Sequence, residues 1–386
     1  MRSTEVALLV AINAFVGAMV GLERTALPLV AEREFGVASA AAAASFIVAF
    51  GLTKAVTNLF AGRLADRFGR KRVLVAGWLL ALPVPVLIHV APTWSYVVAA
   101  NVLLGVNQGL AWSMTVNMKL DIAGPQRRGF VVGLNESAGY TGLAIAAFAT
   151  GYLADSMWLG LGIAILGLLF SLATRETLGR GEGTTLGERG RGNGRALPAS
   201  LSRSQVVASA GGFVTNLKDG ALWALLPILL ISRGAPLADI ALVVAAYPLA
   251  WGLSQALFGW WSDRAGRAPF IVGGLALQAA GVVWLAFAPG LAPALVVGLG
   301  TGMAYPTLLS RVSDLSAPEE RASRLGTYRF WRDLGYAGGA LGAGLAADAL
   351  GLRAALVVVA AVVAVAALVS LADTRRPAAT AARTQR

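Results

Sequence analysis

Apolar runs long enough to cross a bilayer recur along this whole sequence, and most of the polar stretches between them are too short for more than a turn. They fall at 5–30, 42–62, 72–91, 96–119, 129–151 and 157–174, and again at 205–231, 237–260, 269–288, 291–312, 326–348 and 351–372. A helix rises about 1.5 Å per residue, so about 20 residues cross the hydrocarbon core. Inside that core every backbone N–H and C=O must be satisfied within the segment, which selects helices. The expectation is an all-α membrane protein with twelve transmembrane helices. Composition agrees, since 57% of the 386 residues are apolar and 13% are charged, a balance that disfavours a soluble enzyme or a disordered tail. The first run continues to about Leu29 with no small-residue cleavage site, so it is expected to stay as the first span.

The formal charge of +12 is explained by topology rather than by a nucleic-acid partner. With both termini inside, 22 of the 32 Lys and Arg fall in inner loops and tails, and only Arg33, Arg233 and Arg353 fall outside. The expected location is therefore the cytoplasmic (inner) membrane, with both termini and the segment 175–204 in the cytoplasm. That segment is rich in Gly, Arg and Ser and reads as a linker. It separates a first bundle, 1–174, from a second, 205–374, and 375–386 reads as a tail. Cys is absent and His89 is the single histidine, so no thiolate, disulfide or histidine-based metal site is expected, and no cofactor.

The two bundles repeat each other. Gly62-Arg-Leu-Ala-Asp66-Arg67-Phe-Gly69-Arg70 returns 197 residues later as Gly259-Trp-Trp-Ser-Asp263-Arg264-Ala-Gly266-Arg267. Gly105, Gly109, Ala111, Asp121, Pro125 and Arg128 return 193 residues later as Gly298, Gly302, Ala304, Asp314, Pro318 and Arg321. Gly139-Tyr140 returns as Gly335-Tyr336. A long period in one orientation implies two parallel, pseudo-symmetric six-helix bundles.

The loop Gly62-x-x-x-Asp66-Arg67-x-Gly69-Arg70-Lys71, with its weaker copy after the eighth span, resembles the signature loop of the major facilitator superfamily. The resemblance covers essentially the whole chain and implies that family's fold and alternating-access transport. It further implies a cytoplasmic gate of Gly62, Asp66, Arg67, Gly69, Arg70, Asp263 and Arg264, with Asp66 facing the start of the eleventh span and Asp263 the start of the fifth. The glycines are expected to form the interhelical turn, and Asp66 to accept from free helix-terminal donors. Two features depart from the family's pattern. Gly105 stands where many proton-coupled members carry Arg, and Gly139-Tyr140-Thr141-Gly142 replaces the drug-antiporter signature.

A charge near mid-bilayer costs several kcal/mol unless paired or hydrated, so each one is a functional candidate. The candidates for substrate binding or proton coupling are Glu23, Arg24, Lys54, Asn58, Glu136, Tyr140, Lys218, Asp219, Arg332 and Asp333. Arg329 joins the charged set of the eleventh span. Neighbours on a helix point about 100° apart, so Lys218 and Asp219 cannot both face the same partner squarely, and each is expected to meet a charge on another helix or to reach water in the cavity. Such groups can either bind substrate and proton or lock helices in register. Polar and aromatic residues such as Asn13, Asn107, Gln108, Trp112, Asn216, Trp223, Tyr247, Gln255, Tyr305 and Tyr336 suit a cavity for an organic molecule of moderate size.

The reading is a secondary transporter, not an enzyme, acting as a monomer in the bilayer on a small-molecule substrate, with protons as its partner and export as its direction. A Walker-type phosphate loop is absent from the sequence, which removes ATP as a direct energy source. The alternatives are an importer or uniporter of a small anionic solute, motivated by Arg24, Lys54, Lys218 and Arg332, and a transport-inactive receptor or scaffold.

Overall fold

The computed structural model describes residues 2–123, 128–153, 156–178, 201–317 and 320–375. Most of the expected linker, the end of the expected tail, and Pro125 and Pro318 of the repeat lie outside them. Among the described residues the regular structure is helical. The first half holds α1 (Arg2–Arg33), α2 (Ala40–Ala43), α3 (Ser45–Phe68), α4 (Arg70–Ala81), α5 (Pro83–His89), α6 (Trp94–Ala123), α7 (Arg128–Ala149) and α8 (Ser156–Ala173). The second holds α9 (Arg203–Ser232), α10 (Leu237–Ala265), α11 (Arg267–Phe287), α12 (Leu291–Asp314), α13 (Arg321–Leu350) and α14 (Leu352–Thr374). Nine of the described segments, with α4 and α5 counted as one, are long and apolar enough to cross a membrane. The rods α7, α8 and α13 fall outside that set, and α13 carries the charges Arg329, Arg332 and Asp333. The chain is a multi-pass membrane protein.

Local chemistry explains the breaks. Pro83 and Pro85 remove amide donors and their rings crowd the preceding turn, so the expected third span divides at Leu82. Pro28 and Pro227, by contrast, are carried inside continuous helices that run on to Arg33 and Ser232. A capping box of Ser202 and Gln205 starts α9. The tight turns into α4 and α11 rest on Gly69 (φ 91°) and its repeat mate Gly266 (φ 89°), a left-handed geometry that glycine adopts without strain. Gly62 does not share that role. It lies inside α3, seven residues short of the turn, where a Cβ would meet open space.

Within each half the repeat is one of contacts. Gly105 and Gly109 of α6 pack on the backbone and side chains of Phe50, Thr53, Lys54 and Thr57 in α3. Gly298 and Gly302 of α12 do the same on Tyr247, Ala250, Trp251 and Ser254 of α10. The seam of α1 with α7 is closer still, since a Cβ on Gly17 would overlap the Gly139 carbonyl oxygen. Its counterpart joins α9 to α13, where a Cβ on Gly339 would overlap the Leu217 carbonyl oxygen. Small residues allow such approach where the hydrophobic effect gives no drive between helices.

The halves meet along α7 with α10 and α3 with α13, and α1 touches α9. One end of the bundle, here the linker end, carries residues 2, 69, 266 and 374; the other, the far end, carries 34–39 and 233–236. Contacts between halves run from the far end to mid-depth. Ala41 packs on Gly344, Gly151 on Ala241, Gly51 on Tyr336 and Ala337, and Gly252 on Tyr140 and Thr141. At the far end Asp348 of α13 accepts from Ser39 Oγ (2.6 Å), Ala40 N (2.6 Å) and Ala41 N (3.1 Å), binding the start of α2 across the interface. The named contacts between the halves reach as near the linker as Asn58–Asp333 and Glu136–Tyr305.

Candidate functional site

At mid-depth α3, α7, α9 and α13 bring their charges together around a plug of aromatic rings. Tyr140 of α7 stacks on Trp251 of α10 at 3.4 Å between centroids, Tyr305 of α12 stands edge-on to both, and Trp112 leans on Tyr140. Tyr140 Oη donates to Tyr305 Oη at 3.2 Å. Glu136, one turn from Tyr140, accepts from Trp112 Nε1 at 2.7 Å and, across the interface, from Tyr305 Oη at 3.4 Å.

Asp333 is the second mid-depth carboxylate that accepts across the interface. It accepts from Asn58 Nδ2 of the first half at 2.5 Å, from Asn216 Nδ2 at 3.4 Å and from Arg332 Nε at 2.8 Å. Ser113 Oγ in turn donates to Asn58 Oδ1 at 3.0 Å, which orients the amide so that its nitrogen faces Asp333. The Arg332 guanidinium also lies 5.1 Å from the Tyr305 ring centroid. Lys54 sits beside this group, its ammonium 5.0 Å from the Trp112 ring, 5.3 Å from Tyr336 and 5.6 Å from Phe50. A desolvated cation over an aromatic face gains up to about 2 kcal/mol, so these rings partly replace the water that Lys54 lacks.

Lys218 and Asp219 depart from the sequence expectation. They form an ion pair with each other, and Tyr247 Oη donates to the same Asp219 oxygen. Lys218 Nζ also donates to Thr301 Oγ1 at 2.7 Å and to Tyr247 Oη at 3.2 Å. The divergence of adjacent Cβ atoms is overcome by the four-carbon lysine arm, and with both groups fully buried, separate partners would leave more polar atoms bare. Arg332 and Asp333 repeat the solution on α13.

Glu23 and Arg24 of α1 do not. Arg24 is fully buried, and its Nε, Nη1 and Nη2 all lack hydrogen-bond partners among the described residues. Its guanidinium is held only among rings, 4.6 Å from Phe50, 5.0 Å from Trp223 and 5.1 Å from Phe46. Glu23 Oε2 is likewise buried and unpartnered. Lys119 of α6, which sequence reasoning misses, is a further fully buried cation with a bare ammonium. Its place near the end of an apolar helix reads as a topogenic charge, and only the packing of α6 buries it.

The gate residues lie apart from this centre. Asp66, Arg67, Asp263 and Arg264 are exposed at the linker end, on the surfaces of their own halves. Arg70 pairs with Asp121 of α6 at 2.8 Å, and its repeat mate Arg267 pairs with Asp314 of α12 at 3.0 Å and with Asp263. The carboxylate that caps α4 is Glu176, just after α8, which accepts from Arg70 N and Lys71 N at 3.1 Å each. A Cβ on Gly69 would stand 2.5 Å from Glu176 Oε2, so this glycine serves both the turn and the approach of the cap. Burial pushes the Glu176 carboxyl up, but the N–H groups of Leu178, Lys71, Arg70 and Thr177 outweigh it and hold it below the ordinary glutamate range.

Comparison with known proteins agrees with this arrangement. The profile of the Major Facilitator Superfamily matches residues 6–205 and 208–386. An MFS-type transporter of Salmonella typhimurium is 26% identical over 353 residues, covering 82% of this chain and 83% of its own. Among solved structures, a bacterial homologue of the human lysosomal transporter Spinster, inward-facing and unoccupied, superposes with TM-score 0.79 at 15% identity over 97% of both chains. The nucleoside transporter NupG superposes with TM-score 0.77 at 11% identity over 95% of this chain and 99% of its own. By profile, relative and fold together, this chain belongs to the major facilitator superfamily and is a membrane transporter of that kind.

Proposed function

We propose that the protein is a proton-coupled exporter of a small organic molecule, working as a monomer in the cytoplasmic membrane with its termini in the cytoplasm. Its two bundles, 1–174 and 205–374, are the bodies that rock about the central charges. In that orientation the described conformation opens to the cytoplasm and is sealed on the outside.

The observation that carries this reading is the bond from Asn58 of one half to Asp333 of the other, at the innermost joined level of the interface. A carboxylate accepting from the opposite half couples its protonation to closure. Ionised, it draws Asn58, Asn216 and Arg332 together; protonated, it loses the charge that makes those bonds roughly twice as strong as neutral ones. Glu136 stands in the same relation to Tyr305. A proton taken up from outside while the seam is open, and given up to the cytoplasm once Asn58, Asn216 and Arg332 again stabilise the ionised form, would run counter to the substrate.

The test uses proteoliposomes loaded with a pH-sensitive dye and a panel of organic cations, anions and neutral solutes. A transported compound should move protons in the opposite direction. Asp333→Asn should keep substrate counterflow while losing accumulation driven by a pH gradient. Transport by the unmodified protein that ignores the gradient would remove the proton from the proposal.

One observation favours the second reading, movement of a small anionic solute. Arg24 is buried with three bare nitrogens, and a buried charge without a partner costs several kcal/mol. An anionic substrate would supply that partner. Arg24→Gln abolishing binding of anions alone would select this reading over the first.

A further inference from the structure

Arginine is scarce on the far face, yet two of the three basic residues that the sequence places there meet in one groove. The groove lies between the end of α9, the end of α11 and the start of α14, is shallow and open to the surroundings, and offers about 750 Å³ of space. Arg233 and Arg353 both line it, together with Leu229, Phe287, Val357 and Val358. Neither arginine has an ion-pair partner among the described residues, and the Arg353 guanidinium lies 5.5 Å from the Phe287 ring centroid. The acidic group nearest in sequence to Arg353, Asp348, has both oxygens engaged by Ser39, Ala40 and Ala41.

Two further features fit the same occupant. The first turn of α14 begins at Gly351 with no side-chain cap, so its free amides add to the positive field of the arginines. The apolar walls continue from that charge toward mid-membrane, with Phe287 56% and Val358 45% exposed on the outer surface of the bundle. A soluble anion has no use for such walls, and a neutral lipid has no use for two guanidinium groups. Charge at the level of the helix ends above an apolar channel matches a phosphate headgroup above its acyl chain.

We propose that this groove binds one anionic phospholipid, with its phosphate held by Arg233, Arg353 and the first amides of α14. One acyl chain lies along Leu229, Val357 and Val358. Because Leu229 and Arg233 end the helix that carries Lys218 and Asp219, the lipid braces the far end of α9 against α14.

The test is native mass spectrometry of the full chain in detergent, titrated with phosphatidylglycerol or with phosphatidylcholine of the same acyl chains. Phosphatidylglycerol should be retained as a single tight adduct and phosphatidylcholine should not. The double variant Arg233→Gln/Arg353→Gln should weaken retention about tenfold, given that each basic group near a bilayer surface contributes appreciably. Arg33→Gln, the same change of charge elsewhere on that face, should leave retention unaltered. Val357→Trp fills the channel without touching charge and should also reduce retention, which keeps the test valid if the double variant does not fold. Equal retention of the two lipids, an unweakened double variant, or complete displacement by millimolar glycerol phosphate would each overturn the proposal.

Discussion

The two ends of the bundle are tied in opposite ways. At the linker end the named ties stay within one half: Arg70 with Asp121, Glu176 with the start of α4, Arg267 with Asp314. At the far end the ties run between halves, through Asp348 to Ser39 and α2 and through Gly344 to Ala41. The same kind of chemistry, a carboxylate on free helix-start amides, thus stiffens a half at one end and joins the halves at the other. Far-end closure rests on a few named contacts between the halves, and the named linker-end contacts each brace a single half.

The largest break in that contrast should come from Gly51→Leu. A Cβ at Gly51 would lie 2.7 Å from Ala337 N across the interface, so a leucine must push the halves apart, at about 3 kcal/mol, the upper range for overpacking. Because the sequence has no cysteine, spin labels can be placed cleanly at Ala38 and Leu237 for the far end, and at Arg63 and Trp260 for the linker end. The first pair should separate and the second should approach. Unchanged distances would show that this seam does not decide the state.

Asp348→Ala is expected to act in the same direction with less force. Loss of a carboxylate cap costs about 1–2 kcal/mol, which corresponds to roughly a tenfold shift in the ratio of states, read from the same labels. Asp348→Asn, which keeps an acceptor, should recover part of it.

Glu176 sharpens the contrast at the other end. Its carboxyl is held below the ordinary range, so the cap on α4 is fully present above about pH 4.3 and is lost as pH falls through the lowered value. Protection of the Arg70 and Lys71 amides from hydrogen exchange, taken relative to the intrinsic rate at each pH, should fall on acidification. In Glu176→Gln that protection should be low at every pH, with the far-end label distance unmoved. A far-end distance that followed Glu176 would mean the two ends are not separately tied.

The smallest effect on this state belongs to Gly62→Leu. A Cβ on Gly62 would have no neighbour within 4 Å, and leucine favours a helix over glycine by about 1 kcal/mol, so melting temperature should hold or rise slightly. If the linker-end loops close against the other half during the cycle, turnover should nevertheless fall. Full turnover in Gly62→Leu would remove Gly62 from the gate.

Much of the fold was legible because lipid leaves a chain few choices. Apolar runs of membrane length, a loop repeated at 197 residues and glycines repeated at 193 lead directly to paired bundles whose contacts repeat as well. The charges within the spans were legible as residues, and Lys54, Glu136, Lys218, Asp219, Arg332 and Asp333 all lie buried around one aromatic plug. Their pairing was not. Helical angles set Lys218 and Asp219 apart, but the reach of a lysine arm in a dry interior reverses that inference. Glu176 and Asp348 escape a sequence reading for another reason: each caps a helix start more than a hundred residues away in sequence, and a single carboxylate leaves no periodic signal. Gly62 and Gly69 look alike in the loop motif, yet only the second has positive φ.

The seams inside each half have one further consequence. Where Gly17 meets Gly139 and Gly339 meets Leu217, main chain rests on main chain, and no side chain there is free to vary. A larger residue at Gly17 or Gly339 must drive those backbones apart, so a lesion in either seam should fail every cargo alike, whichever side chains select it.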